Sequence, residues 1–306
     1  MRHGKYRFLA WSVLPGLALY AVFVISPYAQ AFYLALTDWR GVSARQKFIG
    51  LDNFARLAGD SLFWTALRHN AVMLLVVPLA TIGIALFLAS MLNLAGRGGR
   101  AAIQGVRGAK FYKIVYFFPQ LLAVSIVAVL WQFVYTPNSG LLNGALNAVG
   151  LGSLTRPWLA VPSLALPAVM TVMVWGSVGF YVVLFSAAMQ SIPRDVLEAA
   201  AMDGANRFVT FRRITLPLLW DTVQVAYVYL GILAMDGFAL VQILTVGLNG
   251  GGPDNATEVL GLTLWRNAFV YGRFGYASAM GVAMFFLTLA LAALTLRFTR
   301  RERIEY

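Results

Sequence analysis

The long stretches without a charged residue constrain this chain more than any other feature. Five of them contain no Asp, Glu, Lys or Arg: 8–37, 69–96, 114–155, 157–193 and 274–296. A sixth apolar stretch, 222–247, contains a single acid, Asp236. A helix needs about 20 mainly apolar residues to cross a bilayer. Each stretch is therefore long enough for one membrane-spanning helix, and the longest ones also leave room for a polar loop.

Composition agrees with a membrane protein. Apolar residues make up 60% of the 306 residues and charged residues 12%, whereas an ordinary soluble domain is about 25% charged. The sequence therefore predicts an all-α integral membrane protein, a single transmembrane domain over 1–306. Its six predicted spans are 9–36, 70–94, 113–135, 163–189, 219–246 and 275–298.

The basic residues predict the orientation of these spans. Sixteen of the 24 Lys and Arg residues fall at the two ends of the chain and in the loops after spans 2 and 4. They are Arg2, Lys5, Arg7, Arg97, Arg100, Arg107, Lys110, Lys113, Arg194, Arg207, Arg212, Arg213, Arg297, Arg300, Arg301 and Arg303. Cytoplasmic loops carry an excess of Lys and Arg, so we expect both termini in the cytoplasm. On the same reasoning, the net charge of +12 reflects orientation rather than nucleic-acid binding.

The first span also has some features of a secretory signal peptide. A basic start precedes it, and Ala29-Gln30-Ala31 is typical of a cleavage site. However, the uncharged run is longer than the 7–15 residues or so of a signal h-region. We therefore favour an uncleaved first helix over a cleaved signal.

Motifs of common enzymes are absent from the sequence. It contains no GxxxxGK[ST] phosphate-binding loop, no HExxH and no GxSxG. Cysteine is absent, and the two histidines, His3 and His69, lie too far apart for a local metal motif. A membrane-embedded enzyme would need acids, histidines or lysines clustered at one depth. We therefore predict no catalytic residues, no metal site and no cofactor on this chain.

The most informative segment is the loop 191–217 between spans 4 and 5. Its pattern predicts two short helices, the first capped by Ser191 and ended by Gly204 in the left-handed conformation. Asn206 is predicted to cap the second helix. Apolar residues at 196, 197, 200 and 201 repeat at helical spacing. From the pattern alone, an ordinary solvated hairpin and a docking surface remain equal alternatives.

The particular residues of this loop and their spacing favour a docking surface. Glu198-Ala199-Ala200, then Gly204, Ile214 and Leu216-Pro217 stand at the spacing of the EAA signature. The chain thereby resembles the permease subunits of binding-protein-dependent ABC importers. The segments Asn255-Ala256-Thr257-Glu258 and Phe274-Gly275-Tyr276 resemble the carbohydrate type, like the first permease of maltose and glycerol-phosphate systems. Extra residues at Gly247-Leu248-Asn249 depart from that pattern.

The resemblance implies a fold, partners and a mechanism. We expect the type I importer permease fold in the bacterial cytoplasmic membrane, with 191–217 as the coupling loop. Its docking helix would offer Glu198, Ala199, Ala200, Asp203 and Gly204 to a separate ATPase, which binds ATP and magnesium. Expected partners are two ATPase subunits, a second and different permease subunit, and an extracytoplasmic sugar-binding protein. This chain would form half of the sugar pathway.

Candidate residues of that pathway come from the spans. An acid within a span is by default a functional hypothesis, and Asp236 is expected to be the only buried acid; an interhelical polar contact is the equal alternative. Gln242, Trp175, Tyr181 and Tyr229 are further candidates, although aromatic residues in spans more often serve packing. Gly176, Gly179, Gly231 and Gly237 are expected to allow close helix packing.

An ion- or proton-coupled secondary transporter is the alternative function. It would need its own coupling residues and usually internal repeats. The sequence has no duplicated half, and Asp236 is the only acid within its apolar stretches to serve as a coupling residue. We therefore predict an ATP-driven importer, whose uptake of sugar into vesicles would require ATP.

Overall fold

In a computed structural model, the chain is described over residues 2–42, 45–93, 106, 108–245 and 250–298. For residues 2–10, 291, 295, 296 and 298 this description covers the backbone only. The α-helices of these ranges are, in order, α1 (Arg2–Tyr20), α2 (Ser26–Ala35), α3 (Asp52–Ala58), α4 (Ser61–Asn93), α5 (Ala109–Phe117), α6 (Val124–Tyr135), α7 (Leu141–Ala148), α8 (Pro162–Gln190), α9 (Arg194–Met202), α10 (Arg207–Thr210), α11 (Leu216–Leu218), α12 (Trp220–Met235), α13 (Phe238–Leu244), α14 (Leu260–Trp265) and α15 (Phe274–Phe298).

The predicted all-α membrane fold is confirmed. Apart from an isolated bridge between Thr37 and Phe48, the described ranges contain no extended pairing. Four helices in these ranges are long and apolar enough to cross a membrane: Trp11–Ala35, Ser61–Asn93, Pro162–Gln190 and Phe274–Leu294. If each of two bent helix pairs, Ala109–Leu121 with Val124–Tyr135 and Arg207–Leu218 with Trp220–Met235, forms one span, the described ranges contain up to six.

Two predicted spans are not the continuous helices that the sequence suggested. The span predicted over 113–135 bends by 99° between its two halves, because a 3₁₀ turn, Phe118–Leu121, and extended residues at 122 and 123 separate α5 from α6. The span predicted over 219–246 ends at Met235 and resumes at Phe238. Asp236 lies at that interruption, with φ −94° and ψ 16°, and not within a helix.

Several sequence predictions concern residues outside the described ranges. These are the basic side chains Arg2, Lys5, Arg7, Arg97, Arg100, Arg107, Arg300, Arg301 and Arg303, the span ends 94 and 246, and the insertion Gly247-Leu248-Asn249.

Contacts divide the chain into two compact units, which we call unit 1 (1–64 and 263–289) and unit 2 (65–262 and 290–306). This division groups packing contacts, so the predicted single functional domain over 1–306 stays a prediction. Each unit has its own core and its own polar contacts.

In unit 1, α2 packs against α15. Phe32 of α2 makes edge contacts with the rings of Phe285 and Phe286. Asn53 Nδ2 donates to the carbonyls of Ala35 and Thr37, 2.9 and 2.8 Å away, which satisfies acceptors left open at the end of a helix. The Ala29–Ala31 segment that resembles a cleavage site lies within α2 and is helical.

In unit 2, α4, α8 and α12 share an apolar core that includes Leu86, Phe185 and Leu230. Helix α5 crosses α8 at Gly179, where an added Cβ would stand 1.7 Å from the Tyr116 carbonyl oxygen. The predicted close packing at Gly179 is therefore confirmed. This contact holds α5, which is the first half of the bent span, against the continuous helix α8.

Candidate functional site

The loop 191–217 forms the predicted helical hairpin in unit 2. Its first helix, α9, ends in a Schellman motif: Gly204 has φ +76°, and the amides of Ala205 and Gly204 donate to the carbonyls of Ala200 and Ala201 at 3.0 and 3.2 Å. Its second helix begins where Asn206 Oδ1 accepts from the Val209 amide at 2.9 Å. Both predictions, for Gly204 and for Asn206, are confirmed.

The predicted cap by Ser191 is wrong. Helix α8 continues through Gln190, so Ser191 is still in the right-handed helical region and its hydroxyl donates to the Ala188 carbonyl at 2.8 Å. Pro193, with an extended ψ of 134°, takes the position before α9 instead. An N-cap residue needs this non-helical backbone, which the long preceding helix denies to Ser191.

The two sides of α9 differ in burial. Val196 and Leu197 pack against the core of unit 2, and Ala200 is buried. Glu198 and Ala199 are exposed. The connection that follows, with Asp203 and Gly204, is exposed as well. The hairpin is therefore attached to the bundle by its apolar side and presents one carboxylate beside a small residue on the other.

Two exposed apolar residues of the hairpin were not singled out from the sequence. Met202 is 89% exposed and Phe208 is 69% exposed. Large apolar side chains exposed in a charged loop are typical of interaction surfaces. For Met202 the available signal was its position in α9, off the 196, 197, 200 repeat that marks the buried side of that helix.

A cavity of 280 Å³ lies where the two interrupted spans meet α8. The 3₁₀ turn contributes Pro119 and Gln120, the middle of α8 contributes Gly176 and Ser177, and the interruption of the fifth span contributes Asp236. Leu122, Val172, Met173, Leu233 and Leu240 make most of the remaining wall apolar. Binding sites are typically apolar clefts with a few placed polar groups.

The interruption at Asp236 is stabilised by Asn70 of α4. Asn70 is fully buried, and its Nδ2 donates to the carbonyls of Ala234 and Met235 at 3.1 and 3.3 Å. Its Oδ1 accepts from the Leu260 amide at 2.8 Å. Backbone groups freed by a break in a helix need hydrogen-bond partners wherever water is excluded. Asn70 supplies such partners and therefore stabilises the break. Nothing in the sequence singled out Asn70.

Among the described residues of unit 2, the buried acid is Glu258 and not Asp236. Asp236 is exposed to the cavity, and its carboxylate has no hydrogen-bond partner within the described ranges, whereas Glu258 is 0% exposed. His69 Nδ1 donates to the Glu258 backbone carbonyl at 2.8 Å. The expectation that Asp236 is the only buried acid is therefore wrong, because the interruption turns its side chain out of the helix packing.

The other pathway candidates lie away from this cavity. Trp175 packs edge-on against Trp131, with ring centroids 5.4 Å apart. Tyr181 is buried in the core of unit 2, Tyr229 is exposed on α12, and Gln242 is half-buried on α13. Gly176 faces the cavity with no atom within 4 Å of an added Cβ, so its predicted role in close packing is wrong.

Comparisons with known proteins agree with this architecture. Residues 65–304 match the family described as "Binding-protein-dependent transport system inner membrane component". The diacetylchitobiose uptake system permease protein NgcF of Streptomyces coelicolor is 45% identical over 96% of this chain and 82% of its own length.

Solved structures extend the likeness of fold to the whole chain. A bacterial ABC transporter involved in the import of the acidic polysaccharide alginate matches with a TM-score of 0.81 at 23% identity, covering 99% of both chains. A bacterial alginate ABC transporter in complex with an alginate pentasaccharide-bound periplasmic protein matches with a TM-score of 0.80 at 22% identity, covering 98% of this chain and 96% of that one.

Proposed function

Because this chain belongs to the family of inner membrane components of binding-protein-dependent transport systems, we propose that it is a permease subunit of an ATP-driven sugar importer. The observation that carries the proposal is the cavity at the two interrupted spans, lined by the Asp236 carboxylate, which has no hydrogen-bond partner within the described ranges. Sugar as the transported class is supported by NgcF, which is named as a permease of a diacetylchitobiose uptake system. Family membership favours this function over a secondary transporter.

In this proposal the cavity is part of the sugar pathway. The Asp236 carboxylate accepts hydrogen bonds from sugar hydroxyls, while Gln120 and Ser177 offer amide and hydroxyl groups that both donate and accept. The apolar wall contacts the less polar faces of the sugar rings. Among the residues that the structure describes, no basic one lines this cavity, which favours an uncharged sugar over an anionic one.

The hairpin is the proposed coupling element. Glu198 pairs with a basic residue of a separate ATPase subunit, and the exposed Ala199 allows close approach of that subunit. The Schellman turn at Gly204 and the exposed Asp203 complete the docking surface, and Ala200 fixes the helix to the bundle. ATP and magnesium are bound by the ATPase, and its closure moves the hairpin together with the spans that it follows.

The remaining partners complete the assembly. A second permease subunit supplies the other half of the pathway, two ATPases bind at the cytoplasmic side, and a sugar-binding protein delivers the substrate at the outer side. The chain lies in the cytoplasmic membrane with both termini inside.

With this topology, Ser153→Cys reacts with an impermeant thiol reagent in intact cells and Arg212→Cys does not. Both side chains are exposed. Reaction at position 212 would contradict the topology.

The deciding experiment is charge reversal at Glu198. Glu198→Lys places like charges against each other at the ATPase interface, which costs several kcal/mol. We expect normal abundance of the permease in membranes, loss of co-purifying ATPase and loss of ATP-dependent sugar uptake in proteoliposomes. The matched control is Asp221→Lys, an exposed acid beyond the hairpin. Wild-type uptake and wild-type ATPase retention in Glu198→Lys would reject the coupling role.

A further inference from the structure

A second cavity of unit 2, of 510 Å³, lies beside the hairpin, and we propose that it binds a phosphate group. Its wall is formed by the ends of α4 and α8 and by the beginnings of α5 and α9. It shares no residue with the cavity at the interrupted spans. Its polar lining is of a different kind, because it is basic.

Of the residues that the structure describes, three cations and no acid line this cavity. Lys110 and Lys113 come from the first turns of α5, and Arg194 is the first residue of α9. None of the three makes an ion pair within the described ranges, and the two acids of α9, Asp195 and Glu198, do not line the cavity. Three uncompensated cations close together repel one another, and a bound anion relieves that repulsion.

Unused hydrogen-bond donors accompany the charges. Thr215 lines the cavity while being only 1% exposed, and its hydroxyl has no partner in the described part of the chain. Buried hydroxyl groups are normally hydrogen-bonded. Gln190 Nε2 donates to Asn93 Oδ1 at 3.1 Å, and its amide retains a second N–H. The cavity thus combines charge with donors, as recognition of phosphate oxygens requires.

The backbone at this cavity also favours the binding of an anion. Helices α5 and α9 both begin at this cavity, and neither has a side-chain cap hydrogen bond. Helix N-termini carry a partial positive charge and unsatisfied amides, which favour phosphate. The apolar Leu92, Ile192 and Leu197 form part of the wall, so a phosphate ester carrying an apolar portion fits as well as a free ion.

Two sources offer this chemistry: the headgroup of an anionic phospholipid and a soluble phosphate. The full chain is purified into nanodiscs that contain either phosphatidylglycerol or only phosphatidylcholine. Native mass spectrometry then counts the lipid molecules that stay bound to the protein after it is released from the nanodisc. In a second arm, the detergent-solubilised full chain is titrated with inorganic phosphate, and its unfolding temperature is followed. A positive lipid arm alone assigns the headgroup, and a positive phosphate arm alone assigns the soluble ion.

The variants decide whether this cavity is the site. Lys110→Gln with Lys113→Gln should weaken binding about 25-fold, from about fivefold for each cation removed near a membrane surface. Arg212→Gln with Arg213→Gln removes two exposed charges of the hairpin that do not line the cavity, and should retain binding.

Thr215→Val separates binding from folding. A purely structural residue in this position loses nothing when an unpartnered hydroxyl is replaced by a methyl group, so stability without phosphate should be unchanged or higher. If the hydroxyl serves the anion, the phosphate-dependent shift or the lipid retention falls. Equal retention in the wild type and the lysine variant, no response in either arm, or binding that appears only with an ATPase subunit present would each overturn the proposal.

Discussion

The continuous spans α4 and α8 and the two interrupted spans of unit 2 differ in what their backbones require. Each continuous helix contains a proline, Pro78 in α4 and Pro167 in α8, and neither proline breaks its helix. One interruption follows Pro119, and the other falls at Asp236 and Gly237, where the chain has no proline.

This difference shows that local sequence does not decide where a span breaks. A proline is tolerated within a span when neighbouring groups satisfy the freed carbonyls. At the Asp236 interruption a neighbouring helix supplies donors, because Asn70 bonds to the carbonyls of Ala234 and Met235. The interrupted spans then expose polar groups to a cavity, while the continuous ones provide the wall against which they are held.

The largest effect is expected where an interrupted span crosses a continuous one. In Gly179→Ala the new Cβ would overlap the Tyr116 carbonyl oxygen, which separates α5 from α8. We expect a loss of about 3 kcal/mol or more, seen as low membrane yield and a lowered unfolding temperature. Gly176→Ala, three residues earlier on the same helix, has free space around its Cβ and should keep full yield. Equal yields would contradict the crossing.

A smaller loss is expected when the interruption at Asp236 loses its support. Asn70→Leu removes three hydrogen bonds from a fully buried position, and such bonds average about 0.6 kcal/mol each within a membrane protein. The unfolding temperature of the purified protein should fall. Thr288→Val is the control, because that hydroxyl bonds only within its own helix. An unchanged unfolding temperature in Asn70→Leu would show that Asn70 does not hold the break.

Asp236→Asn should leave stability intact and change transport. The carboxylate has no hydrogen-bond partner within the described ranges, so yield and unfolding temperature should match the wild type. The amide adds donors and loses an acceptor, so sugar uptake should slow and the preference among sugars should shift. Lower yield with unaltered transport would instead assign Asp236 to an interhelical contact, and unchanged kinetics at full yield would remove it from the pathway.

The smallest perturbation tests whether the cavity is open to water. The chain contains no cysteine, so a single introduced thiol reports on its own site. Gly176→Cys, on the cavity wall, should react with a small polar thiol reagent, and the transported sugar should slow the reaction. Ala168→Cys, buried on the same helix, should react much more slowly. Similar rates at the two positions would contradict a water-filled cavity at the interruptions.

Much of the fold and of the hairpin was predictable from sequence. Uncharged runs predict spans because a bilayer excludes charge, and helix α8 matches its predicted span of 163–189 to within one residue at each end. Gly204 and Asn206 were predictable because their conformations depend on their own backbone and side chain. Ser191 was mispredicted because the length of the preceding helix decides its backbone.

The composition of the cavity was not predictable, apart from Asp236. Gln120, Ser177 and Gly176 come together only because a 99° bend brings the 3₁₀ turn against the middle of α8. Trp175 is next to Gly176 in sequence, but it points toward Trp131. Adjacent positions on a helix face different directions, so the sequence alone does not select the one that lines a cavity.

By itself, the sequence determined which segments are long and apolar enough to cross the membrane and the two-helix form of the hairpin; the side on which the basic loops lie stays a prediction. The spans follow from the exclusion of charged residues from lipid, and the hairpin follows from backbone preferences at helix ends. Both effects act within a few residues. Tertiary structure alone decided that two spans are interrupted, that Asn70 holds one interruption, and that, in the described part of the chain, Glu258 is buried while Asp236 is exposed. The reason is that a freed backbone group or a carboxylate is stabilised by whichever partner lies opposite, and that partner is distant in sequence.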